Sequence, residues 1–438
     1  MGQSVVGEQR PVRWYREITW TQWKALIAGW GVWTLDGVDF LVLTYVLSDI
    51  AKHFNIPLST TSILLLMTYG VRWLGGLLFG NLSDRIGRRM PMIIACSWFT
   101  VCAVLTGVSW SFASIIVFRL LLGIGMAPGY ALGATLVGET WPKKYRAIGI
   151  GLQDTGWGTG GILASLTYLW VYPHFGWRGV FFVGIIPALL LIWFISVAVK
   201  ESPIWQEQIR TKTKIERQPM FQLFSKHLGK VIFLTVLMFC LFFSNWPLLG
   251  LFPSYLKSLH FTHTTISTLG LTISIGQLIG FAASGFIAEK FGRKKGLIYM
   301  FLAGIPSVII LTAVVHSFFW AEIWAFICGA FIIGSAGIWG SILAENLPTE
   351  VRASGVGFLY NIGSLGGGLA PFVVLAVLHG SHISFGAGLA GATIAASVIS
   401  IIVLLFVHET KGVNLDNIGD EHDPGEISIT DPLGSSHT

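Results

Sequence analysis

GNLSDRIGRRM, residues Gly80 to Met90, returns later in the chain as GFIAEKFGRKK, residues Gly285 to Lys295. Each copy has a glycine, three residues, an acid, a base, any residue, a second glycine and two bases. A second pair of stretches repeats as well: ETWPKKYRAIG (Glu139 to Gly149) and ENLPTEVRASG (Glu345 to Gly355). Gly80 to Gly285 is 205 residues and Pro142 to Pro348 is 206. Two unrelated motifs returning at one spacing imply a duplicated chain.

Both motifs lie in short loops between long apolar runs. Of the 438 residues, 53% are hydrophobic and 11% charged, against about 25% charged in ordinary soluble domains. The mean hydropathy is +0.70. Runs bounded by charges and turn residues predict twelve spans. In the first half they fall at roughly 23–47, 59–82, 91–109, 112–138, 146–171 and 177–199. In the second they fall at roughly 230–256, 264–288, 296–315, 319–343, 353–378 and 383–407. The expected fold is all-α integral membrane, with twelve transmembrane helices in two six-helix pseudo-symmetric halves, parallel repeats about an axis along the membrane normal. The expected organisation is an N-terminal segment 1–22, a bundle over 23–199, a polar linker over 200–229, a bundle over 230–407 and a tail over 408–438. The tail is acidic, lacks apolar periodicity and reads as disordered.

Basic residues fix the expected orientation. One side receives Arg10, Arg13, Arg16 and Lys24, the bases of both repeated loops, Lys143, Lys144 and Arg146, the linker bases, Arg352 and Lys411. The other side has Lys52, Arg178 and Lys257. This places both termini in the cytoplasm of a cell (inner) membrane protein. It also accounts for the formal charge of +6 without a nucleic-acid partner. The N-terminus lacks a signal-peptide pattern, so the first helix is read as its own membrane signal. Cys96, Cys102, Cys240 and Cys328 sit in apolar runs without metal or disulfide spacing. With no P-loop or nucleophile motif, an enzyme is not expected, nor a metal or cofactor. A lipid-embedded monomer is.

The first span contains WGVWTLDGVDFLVLTY, Trp30 to Tyr45. Asp36 and Asp39, at i and i+3, share a helix face, and each ionised Asp at mid-bilayer costs roughly 2.5–3.5 kcal/mol. Two carboxylates there do not both readily ionise, so a cation pairs with them or one holds a proton. Arg72 in the next span is the candidate cation. A structural ion pair locking two helices is the competing reading; a proton- and anion-handling site is preferred. Arg72 is the candidate for a substrate carboxylate, because guanidinium matches it bidentately and keeps its proton. The repeat maps Asp39 onto Asn245, Arg72 onto Gln277, and Asp154 onto Tyr360 beside Asn361. The first half therefore reads as ionic and proton-coupling, the second as hydrogen-bonding. Trp246, Trp73, Trp157 and Tyr130 are candidate cavity walls. Arg119 and Asp154 are open between a gating ion pair, a binding contact and a helix lock. Pro247, Gly250, Pro253, Gly366–Gly368 and Pro371 make the seventh and eleventh spans bendable.

The Gly80–Arg89 motif and its copy resemble the signature loops of the major facilitator superfamily, and Arg119–Gly125 (RLLLGIG) resembles that superfamily's Arg–Gly motif. The resemblance implies a gating role for Gly80, Asp84, Arg85, Gly87, Arg88 and Arg89, with Gly285, Glu289, Gly292 and Arg293 as the copy. Gly80 would let two helices approach, Asp84 would accept from a neighbouring helix N-terminus, and the arginines would hold the helix ends together. LDGVDF (Leu35–Phe40), NWPLLGLFPSYL (Asn245–Leu256) and LPTEVRASGVGFLYNIGSLGGGLAP (Leu347–Pro371) are similar to the sialate:proton symporter family. Some carriers of that group insert two extra helices in the central linker; residues 200–229 here are polar. The resemblance implies proton-coupled uptake of a sialic acid or related sugar acid by alternating access. A monocarboxylate (lactate or pyruvate) or aromatic acid is the alternative cargo. An exporter or a transport-dead membrane sensor is less favoured, the 31-residue tail (408–438) offering no signalling domain.

Overall fold

A chain that must satisfy its backbone inside lipid has helices as its simplest solution, and among the described residues the structure is helical without strands. The computed structural model describes residues 14–211, 219–347 and 352–410. Arg10, Arg13, the middle of the linker, residues 348–351 of the second repeated loop and the tail from 411 lie outside the described residues.

Twelve long helices follow one another. They are α1 (Trp20–Phe54), α2 (Leu58–Ile86), α3 (Arg89–Gly107), α4 (Phe112–Thr140), α5 (Arg146–Trp170) and α6 (Tyr172–Ala198). The second set is α7 (Leu228–Ser258), α8 (His263–Phe291), α9 (Arg293–Val314), α10 (Phe318–Glu345), α11 (Gly355–His379) and α12 (Phe385–Leu405). All but α5 are long and apolar enough to cross a membrane. The middle of α5 reads QDTGWGTGG (Gln153–Gly161), and its glycines explain why bulk is missing. A Cβ at Gly160 would lie 2.7 Å from the Thr34 carbonyl of α1, and one at Gly158 would lie 3.3 Å from Leu278 of α8. α5 is thus wedged between α1 and α8, and close backbone approach replaces apolar side chains. The halves also meet where α2 runs along α11 and α1 along α7.

The repeated loops resolve into one structure built twice. Arg88 forms a two-point pair with Glu139, Nη2 to Oε1 at 2.9 Å and Nε to Oε2 at 3.0 Å. In the copy Arg293 Nε meets Glu345 Oε1 at 2.9 Å. The two sequence motifs are the two ends of one ion pair, which is why they share an offset. A third acid completes each set. Glu201, just beyond α6, accepts the backbone N–H groups of Arg88 and Arg89 at 2.8 and 3.1 Å, at the start of α3. Glu409, just beyond α12, accepts those of Arg293 and Lys295 at 2.7 and 3.4 Å. A carboxylate there also faces the positive end of the helix dipole. Arg89 donates to the Ile195 and Ser196 carbonyls of α6. Every one of these bonds stays within a half.

This end of the two halves is parted, and the motif's residues stand accordingly. Gly80 and Gly285 are exposed, and no atom lies within 4 Å of a Cβ built on either. The contact of α2 with α11 persists where a Cβ at Gly76 would lie 3.3 Å from Asn361, but has parted one turn later at Gly80. Asp84 is 74% exposed and reaches Arg88 at 3.4 Å, and Glu201 is the carboxylate that accepts from the start of α3. Arg85 and Glu289 are exposed. Gly87 (φ +93) and Gly292 (φ +99) are the glycines the motif requires, since left-handed backbone strains any L side chain, and a Cβ at either would strike Glu201 or Glu409.

Gly87→Ala should therefore cost about 1–2 kcal/mol and lower the melting temperature of the purified protein. Gly80→Ala should change stability by less than about 0.5 kcal/mol. Equal melting shifts for the two variants would contradict this division.

Candidate functional site

α2 changes direction at Val71 (φ −105, ψ −1), and a new helical segment starts on Arg72. The break points Arg72 inward, where it is fully buried beside an equally buried Asp36 of α1. One nitrogen, Nη2, meets Asp36 Oδ2 at 3.1 Å and the Met126 carbonyl of α4 at 3.4 Å. Arg72 Nε and Asp36 Oδ1 have no partner among the described residues. The guanidinium lies 5.1 Å from the Tyr69 ring centroid and 5.9 Å from that of Trp33, within cation–π range. The Nε edge of the arginine fork is left without a partner among the described residues.

The expectation that Asp36 and Asp39 look into one space needs correcting. Three residues leave two side chains roughly 60° apart around a helix, and here that angle separates two environments. Asp36 sits against Arg72 at the cavity, whereas Asp39 turns into the first-half bundle, toward Gly184 of α6. Arg119 of α4 lies there too, its Nη1 3.4 Å from the Asp39 main-chain carbonyl and its guanidinium 4.8 Å from the Phe181 ring. Each carboxylate has its own guanidinium nearby, and of these four residues only Arg72 lines the cavity, Asp36 lying against it off the lining.

The cavity lies between the halves. Arg72, Tyr130, Asp154 and Trp157 line it from the first half, and Asn245, Trp246, Gln277 and Tyr360 from the second. Asn361 does not line it: its Nδ2 donates to the Gly357 carbonyl at 2.9 Å, at the α2–α11 contact. Adjacent helical residues point about 100° apart, so with Tyr360 turned to the cavity its neighbour faces α2. Two aromatic layers bound the space. Tyr130 and Tyr360 stack across the halves at 4.9 Å, with Trp33 5.3 Å from Tyr130. On the other side Trp246 packs against Phe40 at 4.8 Å and Tyr69 at 4.9 Å.

Sequence reasoning missed Trp33, Tyr69, Phe242 and Trp339 on this wall. Trp33 and Tyr69 carried a signal, lying one turn before Asp36 and Arg72 on the same faces. Trp339 carried none. It follows a π-helical turn (Gly329–Ile333) and a 3-10 stretch (Gly334–Ile338) inside α10, which shift the helix face away from regular periodicity. Among the described residues its indole N–H has no partner, nor do Asn245 Oδ1, Gln277 Oε1 and Asp154 Oδ1.

Beyond the Phe40 layer the halves are tied together. Lys257 of α7 reaches Asp49 of α1 at 2.5 Å and the Tyr45 carbonyl at 2.7 Å, and lies 4.9 and 5.2 Å from the Tyr168 and Tyr172 rings of α5 and α6. Ser48 donates to Ser254 at 3.0 Å across the same seam. The open surroundings of Gly80 and Gly285 lie at the opposite end.

Residues 29–371 match the model of the Major Facilitator Superfamily. The chain is 32% identical over 400 residues to the sialic acid transporter NanX of Escherichia coli K12, covering 90% of this chain and 96% of that one. It is 28% identical over 420 residues to a probable 4-methylmuconolactone transporter of Cupriavidus pinatubonensis, covering 94% and 96% of the two chains. In fold it matches the inward open conformation of the xylose transporter XylE from E. coli, with a TM-score of 0.73 and 18% identity, covering 91% of this chain and 99% of that one.

If Asp49–Lys257 holds its end shut, Asp49→Lys should raise labelling of a Ser254→Cys reporter by a membrane-impermeant maleimide several-fold. Combining Asp49→Lys with Lys257→Asp should bring labelling back toward the starting level. Equal labelling in all three backgrounds would show that the pair does not close this end.

Proposed function

The chain belongs to the Major Facilitator Superfamily, a membrane transporter and not an enzyme, and on that premise we propose proton-coupled uptake of an organic acid by alternating access. A sialic acid or related sugar acid is the proposed cargo. The observation that carries the reading is Arg72: a buried guanidinium on the cavity wall, paired through one nitrogen with one oxygen of Asp36 and with its Nε unpartnered among the described residues. A carboxylate entering this space finds a planar donor, aromatic walls for a ring, and Asn245, Gln277 and Tyr360 for hydroxyl or amide groups.

Coupling follows from charge. With the site empty, Arg72 and Asp36 sum to zero. A substrate anion that takes the guanidinium releases Asp36 into a low-dielectric site with no counter-charge, where a carboxylate takes up a proton. For this pair and its cargo, anion alone leaves minus one, proton alone plus one, and both together zero, with Asp154 on the cavity wall contributing equally to every state. The two forms in which the pair is balanced pass most easily through an occluded, desolvated state. Asp36 is accordingly assigned the transported proton, and Asp39 beside Arg119 a fixed counter-charge. The basic end is assigned to the cytoplasm, with both termini on that side of the inner membrane, and the protein acts as a monomer. The helix-end network of Arg88 and Arg293 keeps each half rigid as it rocks.

An aromatic acid is the second reading, favoured by Trp33, Trp157 and Trp246 on the walls. The NanX relative supports the sugar acid and the muconolactone carrier the smaller acid.

Arg72→Lys, which keeps the charge and loses the fork, should weaken binding of the acid roughly tenfold to a hundredfold while the protein still expresses. Binding at wild-type strength would place the carboxylate elsewhere. Uptake into proteoliposomes should rise as the outer pH is lowered and stop with an uncoupler. Asp36→Asn should abolish accumulation against a gradient while exchange between equilibrated pools partly survives. Accumulation by that variant would remove the proton from Asp36.

A further inference from the structure

Asp36 has Arg72 and Asp39 has Arg119 nearby, but the third deep carboxylate of the first half has no such partner. Asp154 of α5 lines the cavity, and among the described residues no Lys, Arg or His pairs with it and no donor bonds its Oδ1. Tyr130 and Tyr360 lie within electrostatic reach of it, yet neither hydroxyl hydrogen-bonds to it. Asp154 is half-buried, with one oxygen enclosed and unpaired and the side chain on the cavity wall, whereas a helix lock or gating pair would have supplied its partner within the protein. Gln277 of α8, the helix against which α5 packs, adds a second unpartnered acceptor to the same cavity. The cavity therefore has a cation at Arg72 and, elsewhere on its wall, a carboxylate to which no protein donor is bonded among the described residues.

We propose that Asp154 determines substrate specificity: it accepts a hydrogen bond from a hydroxyl or amide N–H of a monoanion whose carboxylate lies on Arg72, and it excludes dicarboxylates by charge. The proposal rests on Arg72 as the carboxylate clamp. A dianion that fills the cavity brings its second negative charge toward Asp154, whereas a polyhydroxylated monoanion satisfies it. Specificity of this kind is steep, because a substrate without the donor leaves a buried acceptor unpaired.

The test is a binding titration of purified full-length protein in lipid nanodiscs with three probes at one pH. Sialic acid is a monoanion with hydroxyl and amide donors, benzoate a monoanion without them, and cis,cis-muconate a dianion. Wild type should bind sialic acid at least about tenfold more tightly than benzoate, with muconate weakest. Asp154→Asn should weaken sialic acid about tenfold, strengthen muconate about tenfold and leave benzoate within about twofold. Asp154→Ser, which lacks the amide donor of asparagine, should move the three probes in the same directions. An unliganded melting curve confirms that each variant is folded. Arg72→Lys should weaken all three probes alike. If both Asp154 variants keep the wild-type order and ratios while Arg72→Lys loses all three, the role of Asp154 is overturned and the clamp stands. If Arg72→Lys binds all three at wild-type strength, the clamp is overturned and this proposal with it. A wild type that binds muconate as tightly as sialic acid, or none of the three, overturns it too.

Discussion

A guanidinium and a carboxylate share a single hydrogen bond at 3.1 Å in the middle of a membrane protein, and the site is built around keeping that bond incomplete. A fully satisfied buried pair is hard to break, since removing either partner strands the other charge. Arg72 and Asp36 meet through one atom each. The break in α2 at Val71 sets the arginine's position, the Met126 carbonyl takes a second share of the same nitrogen, and Tyr69 and Trp33 hold the guanidinium through their ring faces. The remaining fork is pre-oriented and desolvated, the state in which a planar anion gains most from it.

The duplication was legible because its carriers are paired charges. Arg88 needs Glu139 and Arg293 needs Glu345, so both members of each pair persist in both halves and the loops reveal the repeat. The twelve spans were legible because eleven helices are apolar in lipid, and α5 could be placed by the charges and turns at its ends. Arg72 could be singled out because an arginine in an apolar run has few structural uses. Tyr360 and Gln277 came from the repeat itself, through Asp154 and Arg72, and both line the cavity.

What was not legible depends on contacts between distant residues or on irregular helix geometry. Glu201 and Glu409 stand at the edges of polar segments, and nothing local marks them as partners of backbone N–H groups more than a hundred residues away. Asp49 and Lys257 resemble ordinary loop-edge charges until the halves are brought together. Asp39, Asn361 and Trp339 depend on rotation about a helix axis. A shift of one residue, or one wide turn as in α10, moves a side chain from cavity to packing or the reverse. Gly80 depends on which ends of the halves are parted, a property of one conformation that composition does not encode.

The composition of α5 bears on how the chain enters the bilayer at all. A segment carrying Gln153, Asp154 and a run of glycines has little reason to leave an aqueous translocation channel for lipid on its own. The helix after it, α6, is the most apolar of the spans and faces outward along much of its length. The two are joined at Val171, with non-helical backbone at Gly176, so they can partition as a hairpin, with α6 supplying the transfer free energy and α1, already inserted, the docking surface for α5. The polarity that suits α5 to a transport pathway thus makes its insertion depend on α1 and α6, tying the last two helices of the first half to its first.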